Sequence, residues 1–520
     1  MLQQRVRDAL WAIGAGTVVT AWGCNALTDS TGYYEVKPAV FDSGTALSDS
    51  GTALPDATCV AGTDRRTLEA ACTGSSCVPY DAVLAVCDGG FCPLPTPSPQ
   101  PVADASAESG AAPDGGSDAA PNDGGVEGGT GSCSQLPGEP SSVVYVTGST
   151  ALASFIGEVS SALASKVTIV YQQSGSCVGV HSALDPANYA LSSANGVATY
   201  YTPSGVQKTC VLDPSERLVA DVGASDVFYS TCYQGQAVTP TLPASVGENF
   251  GPVQIMNFAV PQSSTQQSIS LAAAYYVFGF GGSPYRVPPW TDPMQLQIRS
   301  ANSGTQSLIA AAIGVPPSAW FGVSHGTSAQ VGAALGAAGQ SGSQTVVDSA
   351  LGILASDYLL QNAQVLRGLA VRDEGASCAF YPNTTAFARD NANARDGHYP
   401  LWGPSHFYAR TDPATGLPLK PGVSQFIDSL NGLTPLPGLD LVAEYAAKGL
   451  VPQCAMHVTR SNDGGDYTPF KAAAACNCYF DLHATGSTSC KPCQANSDCP
   501  SRAPNCNKFG PQPQQGYCDL

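Results

Sequence analysis

Short apolar runs rich in Val, Ile and Tyr recur through the middle of the chain, at residues 143–146, 167–171, 218–222, 253–260, 295–298 and 406–409. Runs of this length, bounded by Gly, Pro, Ser and Asp, read as buried strands. Between several of them the apolar positions take the wider spacing of helices, as at 151–164, 268–279 and 305–314. Strands alternating with helices predict an α/β domain with largely parallel sheets. Residues 143–460 are more than one sheet usually needs, so two lobes are expected.

Outside this region the pattern is lost. Residues 93–142 are dominated by Pro, Ala, Gly, Asp and Ser, and no Lys or Arg occurs between Arg66 and Lys166. Such a segment cannot offset its own ordering entropy and is expected to be disordered. A flexible coil of about fifty residues spans roughly 40 Å. Residues 25–58 read as a tether, in which Ser-Gly-Thr-Ala-Leu occurs twice. Two short segments, 59–92 and 461–520, are dense in cysteine and too small to bury a sufficient core unaided.

The first residues carry Arg5 and Arg7, followed by an uncharged run that ends at Cys24. A basic start before a short apolar stretch is an export signal, and the run is shorter than the roughly twenty residues of a membrane-spanning helix. A small residue before Cys24 resembles the lipobox of bacterial lipoproteins. That resemblance implies a signal peptide over 1–24 and lipidation at Cys24, with the protein facing the periplasm or the cell surface. No other apolar run is long enough to span a bilayer, so attachment is expected by the lipid alone, and a monomer is expected. Asn25 favours the outer membrane by the same resemblance.

The chain has 19 Cys. Setting Cys24 aside leaves an even number, which in an exported protein is expected to pair. Grouping by neighbourhood joins Cys133 to the five of residues 59–92, puts Cys177, Cys210, Cys232 and Cys378 together in the α/β region, and leaves eight from Cys454 to Cys518. A zinc site built from Cys476, Cys478, Cys490 and Cys493, with His483, is the competing reading of the last group. Disulfides are preferred, and neither a metal nor a cofactor is expected.

Charge narrows the function. The formal net charge is −18, which argues against a nucleic-acid partner, because phosphate backbones need clustered Lys and Arg. There is no Gly-x-Ser-x-Gly elbow, no His-Glu-x-x-His and no Gly-Lys-Ser/Thr phosphate loop, so no enzyme class is indicated.

Four segments carry chemistry together: Thr147-Gly148-Ser149-Thr150-Ala151, Tyr171 to Gly179 with Ser174-Gly175-Ser176 at its centre, Asp221 to Asp226, and Arg299 to Thr305 with Ser303-Gly304-Thr305. Each stands at the end of an expected strand, and three lead into a helix. Ser and Thr at helix starts offer donors where the helix dipole favours an anion. Strand ends from two lobes can converge at the edge where α/β proteins bind ligands. Arg299 adds a fork suited to oxyanions. Asp226 can accept a hydrogen bond from a protonated phosphate oxygen but repels sulfate. The candidate ligand-binding residues are Ser149, Thr150, Ser176, Ser225, Asp226, Arg299, Ser303, Gly304 and Thr305.

These segments resemble the phosphate-binding proteins of bacterial phosphate ABC transporters, a branch of the type II periplasmic binding proteins. Gly148-Ser149-Thr150-Ala151 is similar to that family's Gly-Ala-Thr-Phe turn, and Tyr171–Gly179 to its Tyr-x-x-x-Gly-Ser-x-x-Gly. Asp221–Asp226, Arg299 with Ser303-Gly304-Thr305, and Trp290-Thr291-Asp292-Pro293 have counterparts as well. The resemblance covers roughly residues 143–430. It implies a two-lobed fold, inorganic phosphate or another small oxyanion as ligand, a transporter permease as partner, and phosphate contacts from Thr150, Ser176, Asp226, Arg299, Ser303, Gly304 and Thr305. The sequence departs from the pattern at Ala151, Cys177 and Val178, and residues 181–217 form an insertion expected to be a hairpin that covers or reshapes the cleft. The alternative function is a cell-surface interaction or adhesion lipoprotein on a degenerate binding-protein fold.

Overall fold

The structure is a computed structural model and describes residues 131–136 and 142–519, apart from residues 214, 216, 237, 283–284, 374–375, 377, 433–435, 437 and 512–513. The expectations for the signal peptide, the tether, the 59–92 segment and most of the 93–142 linker lie outside these residues.

The first half of the domain runs through β1 (Val143–Gly148), α1 (Ala153–Leu163), β2 (Thr168–Gln173), α2 (Ser176–Leu184), β3 (Ala198–Tyr201), β4 (Gln207–Cys210) and β5 (Val222–Ser225). A long strand, β6 (Val246–Pro261), then carries the chain across. The second half holds β7 (Ser268–Ser270), α3 (Leu271–Phe280), β8 (Leu296–Arg299), α4 (Gly304–Ile313), β9 (Val323–His325), α5 (Ser328–Gly339), β10 (Leu351–Ala355), β11 (Leu366–Gly368) and β12 (Ala370–Arg372). The chain returns on β13 (Trp402–Arg410) to α6 (Pro421–Leu430) and α7 (Leu441–Ala447). It ends with the hairpin β14 (Val458–Arg460) and β15 (Tyr467–Pro469), helix α8 (Asn477–Thr485), and the hairpin β16 (Asn505–Phe509) and β17 (Gln515–Asp519).

The strand order is β4-β3-β2-β1-β5-β13-β6-β10-β8-β9. In the first half β2, β1 and β5 are parallel, and β13 joins them antiparallel. In the second half β9, β8 and β10 are parallel, and β6 joins them antiparallel. Both halves therefore follow one plan, with second, first and third strands and then an antiparallel strand on which the chain crosses between the halves. The result is a mixed α/β architecture in two halves. Separate apolar clusters fill the halves. Phe155, Ile156, Val159, Phe407 and Phe426 pack the first, and Phe258, Phe278, Leu308, Trp320 and Ile353 lie in the larger core of the second.

Several local expectations shift. The strand read at 218–222 begins later, at Val222: Leu218 bridges Leu191 instead, and the Asp221 carboxylate accepts from the Tyr145 N–H and from Lys420. The helix read at 268–279 starts as the strand β7 and turns helical at Leu271, with Ser270 capping Ala273 N–H. The 181–217 insertion does contain a hairpin, but β3 pairs with β2 and extends the outer edge of the sheet. Trp290 is buried in the core and Asp292 accepts from Met294 N–H, so that loop is structural.

Two cysteine expectations are corrected. Cys133 bonds to Cys210, not to the first cysteine cluster, and is fully buried while Ser132 bridges Val211. The end of the expected linker is thus pinned to the sheet edge. Cys177 bonds to Cys232 within the expected group of four, but Cys210 is taken by Cys133, so the four of the α/β region do not all pair among themselves; Cys378 is also disulfide-bonded. The zinc alternative is overturned as well. Cys454–Cys476, Cys478–Cys490, Cys493–Cys506 and Cys499–Cys518 are disulfides, which leaves no thiolate to hold a metal. This segment packs on the larger domain. Tyr467, Cys476, Tyr479 and Phe480 share one apolar core with Trp402, and Arg460 stacks 3.9 Å over the Trp402 ring.

Candidate functional site

The ends of β1, β2 and β5 meet at Asp226. Strand β1 closes on Gly148, whose φ is +142° and where a β-carbon would stand 1.9 Å from the Ala224 carbonyl oxygen. Only glycine permits this approach, and it brings the next residue, Ser149, over the end of β5. Ser149 donates its hydroxyl to Asp226 Oδ1 at 2.5 Å and accepts from Leu152 N–H at 3.2 Å. The Tyr171 hydroxyl donates to the Ser149 carbonyl. Ser176, the first residue of α2, donates to Asp226 Oδ2 at 2.9 Å and accepts from the Asp226 N–H at 3.3 Å.

The second half closes over this cluster. A β-carbon on Gly304, at the start of α4, would lie 2.3 Å from Ser176 Oγ and 2.6 Å from Asp226 Oδ2. Across the same junction, Cys177 N–H donates to the Asn302 carbonyl at 3.2 Å. Helices α1, α2 and α4 all begin without a side-chain cap. Ala153 N–H of α1 and Cys177 N–H of α2 already donate to the Thr150 and Asn302 carbonyls, and the dipoles of all three helices favour negative charge at their starts.

Arg299 ends β8 and is buried. Its Nη1 donates to Ser328 Oγ at 2.6 Å, and its Nη2 to the Gly326 carbonyl at 3.0 Å and to Thr150 Oγ1 at 3.5 Å. The last contact bridges the halves. Gln306 accepts from the Arg299 N–H and so ties β8 to α4. Burial pushes the Asp226 carboxyl above the ordinary carboxylate range; the Ser149 and Ser176 hydroxyls and Arg299 pull it down, and Asp463 pushes it up.

The structure therefore gathers Ser149, Thr150, Ser176, Asp226, Arg299 and Gly304. Ser303 and Thr305 are buried at the start of α4. Ser225 stands apart, because its hydroxyl donates to the Val227 carbonyl and accepts from the Val227 N–H. Sequence reading missed Ser328, Gly326, Gln306 and Asp463. The first two had a visible signal: Gly326-Thr327-Ser328 is another strand-to-helix turn, with Thr327 and Gln330 forming a capping box. The departure at Cys177 is explained by its bond to Cys232. A cavity of about 720 Å³ lies elsewhere, between the α6–α7 region and the C-terminal segment, lined by Phe250, Leu436, Tyr445 and Phe509 among others. The polar cluster itself is enclosed, with Ser149, Ser176, Asp226 and Arg299 all buried.

No protein-family model and no curated protein matches the chain. Among solved structures it is similar to an ABC-type phosphate transport receptor from Vibrio cholerae, at 12% identity and a TM-score of 0.37, covering 60% of this chain and 100% of that one. It is similar to a phosphate-binding protein from Stenotrophomonas maltophilia at 16% identity and a TM-score of 0.34, covering 60% and 90%. It is also similar to a high affinity periplasmic phosphate-binding protein bound with phosphate, at 14% identity and a TM-score of 0.37, covering 59% and 90%. Likeness at this level does not bear on the ligand.

Proposed function

We propose that this chain is an exported oxyanion-binding protein whose ligand, held between the two halves, is inorganic phosphate. The observation that carries the reading is the convergence of three helix starts with a buried arginine and a buried carboxylate where strands of both halves end. Helix starts and a guanidinium stabilise an oxyanion without a counter-ion from solvent. The Ser149 and Ser176 hydroxyls, now turned to Asp226, are donors that a ligand can share. Asp226 supplies the selective element, because it accepts from a protonated phosphate oxygen and meets an unprotonated sulfate with like charge. The ligand enters as the halves part about β6 and β13 and is enclosed when they meet.

In this reading the gathered residues bind and orient the anion, and the chain acts as a binding protein. Export and a lipid anchor at Cys24 fit the N-terminal sequence, and no described helix is long and apolar enough to cross a membrane. A transporter permease is the partner that a phosphate-binding protein would serve. Calorimetry with phosphate and with sulfate tests the reading. Phosphate is expected to bind and sulfate to be rejected near neutral pH. No heat with phosphate up to about millimolar concentration, a binding energy of only ~4 kcal/mol, ends this reading and favours a cell-surface interaction role.

A further inference from the structure

The loop that follows Asp226 is held by a residue far outside the strand ends. Asp463 lies between β14 and β15 and is buried. Its Oδ2 accepts from Phe228 N–H at 2.9 Å and from Thr231 Oγ1 at 2.7 Å. Its Oδ1 lies against β13: a β-carbon on Gly403 would stand 2.8 Å from that oxygen and 3.7 Å from the Asp226 carbonyl oxygen. The same loop is tied covalently on its other side, because Cys232 bonds to Cys177, the neighbour of Ser176. The hydrogen-bonded pair Ser176 and Asp226 is thus backed by a disulfide on one flank and by Asp463 on the other.

We propose that Asp463 is a positioning residue of the anion site, holding the loop that presents Asp226 and making the C-terminal segment a working part of that site. The inference rests on reading the site as an oxyanion site. A buried carboxylate with two donors from one loop specifies that loop's shape, and losing it strands both donors. Its charge acts as well. Arg299 and Asp463 are the charged groups facing Asp226, with the hydroxyls of Ser149 and Ser176 and the Tyr171 phenol beside them. Those facing Asp463 are His406, Tyr408, Arg460 and Asp226, and His406 is itself paired with Glu248 at 2.8 Å. Asp463 raises the pH at which Asp226 loses its proton. A protonated Asp226 donates a hydrogen bond and admits sulfate, whereas an ionised one excludes it.

The test titrates the full chain with phosphate and sulfate between about pH 5 and pH 9, a span that brackets raised carboxyl values. Asp463→Asn keeps an acceptor for the loop and removes the charge. It should move the onset of sulfate binding to lower pH than in the wild type. Asp463→Ala removes the acceptor too and should weaken phosphate about tenfold, the equivalent of ~1.4 kcal/mol. Thr231→Val, which removes one of the two bonds without touching a charge, should give a smaller loss and serves if the alanine variant does not fold. If sulfate onset in Asp463→Asn superimposes on the wild type, or if both anions weaken equally with no shift, the inference is overturned and the oxyanion reading stands. A wild-type chain that binds neither anion overturns both.

Discussion

Asp226 and Arg299 carry opposite demands within one buried cluster. Arg299 is held by Ser328, Gly326 and Thr150, which point its fork across the junction of the halves. Truncating one partner of a buried, hydrogen-bonded charge pair costs about 2–5 kcal/mol, so Arg299→Ala should weaken phosphate binding roughly 30-fold or more by calorimetry. Asp226 differs, because burial raises its folded pKa. A carboxyl raised on folding stabilises the fold below its unfolded pKa and loses that contribution as pH rises through the folded value. Asp226→Asn should therefore gain thermal stability over the wild type near neutral pH, in anion-free buffer, and the gain should vanish as the pH falls into the acid range. The same variant should discriminate less between phosphate and sulfate. Thermal melts across pH read the first effect and calorimetry the second. Ser149, Ser176 and Asp226 were legible in the sequence because each stands beside a strand end with glycine nearby. Asp463 was not, since its contact with Phe228 spans 235 residues and nothing local marks it.

At the scale of elements, the helix starts were legible and the strand limits less so. Periodicity placed α1 and α4 within two residues at either end, because their apolar faces are regular. Strand β6 is longer than the apolar run suggests. Its first residues, Val246 to Gly251, include glycines, Glu248 and Asn249, and they become a strand by pairing with β13. Tertiary pairing overrides local propensity there. Strand β9 is only Val323–His325, too short and polar to announce itself, so the turn that supplies Ser328 went unread. The approach of α4 to Asp226 makes its own prediction. Gly304→Ala places a β-carbon 2.3 Å from Ser176 Oγ. Overpacking of this kind costs ~1–3 kcal/mol, so phosphate affinity should fall about tenfold while the far-ultraviolet circular dichroism is unchanged. Full affinity in that variant would mean that the halves do not close as described.

At the scale of the whole molecule, the even count of cysteines beyond Cys24 anticipated an oxidised protein but not its wiring. Parity says how many cysteines pair, and proximity in the fold says which, so Cys133 and Cys210 could not be matched from spacing. Every described cysteine is disulfide-bonded. Thiol labelling of the denatured, mature protein should accordingly find none free, and bound zinc in stoichiometric amount would contradict the pairing of the C-terminal segment. Lipidation gives a separate test: Cys24→Ser should move the protein from the membrane fraction to the soluble one, and its retention after washing would exclude a lipid anchor. The Cys133–Cys210 bond also settles where mechanical load enters the domain. A pull arriving from the residues before Ser132 is taken up covalently at β4, the outermost strand of the first half. Strands β6 and β13, on which the halves would turn, lie several strands inward and out of that line of force. If residues 25–58 act as the expected tether, drag on them would move the domain as a body without prising the proposed anion site open.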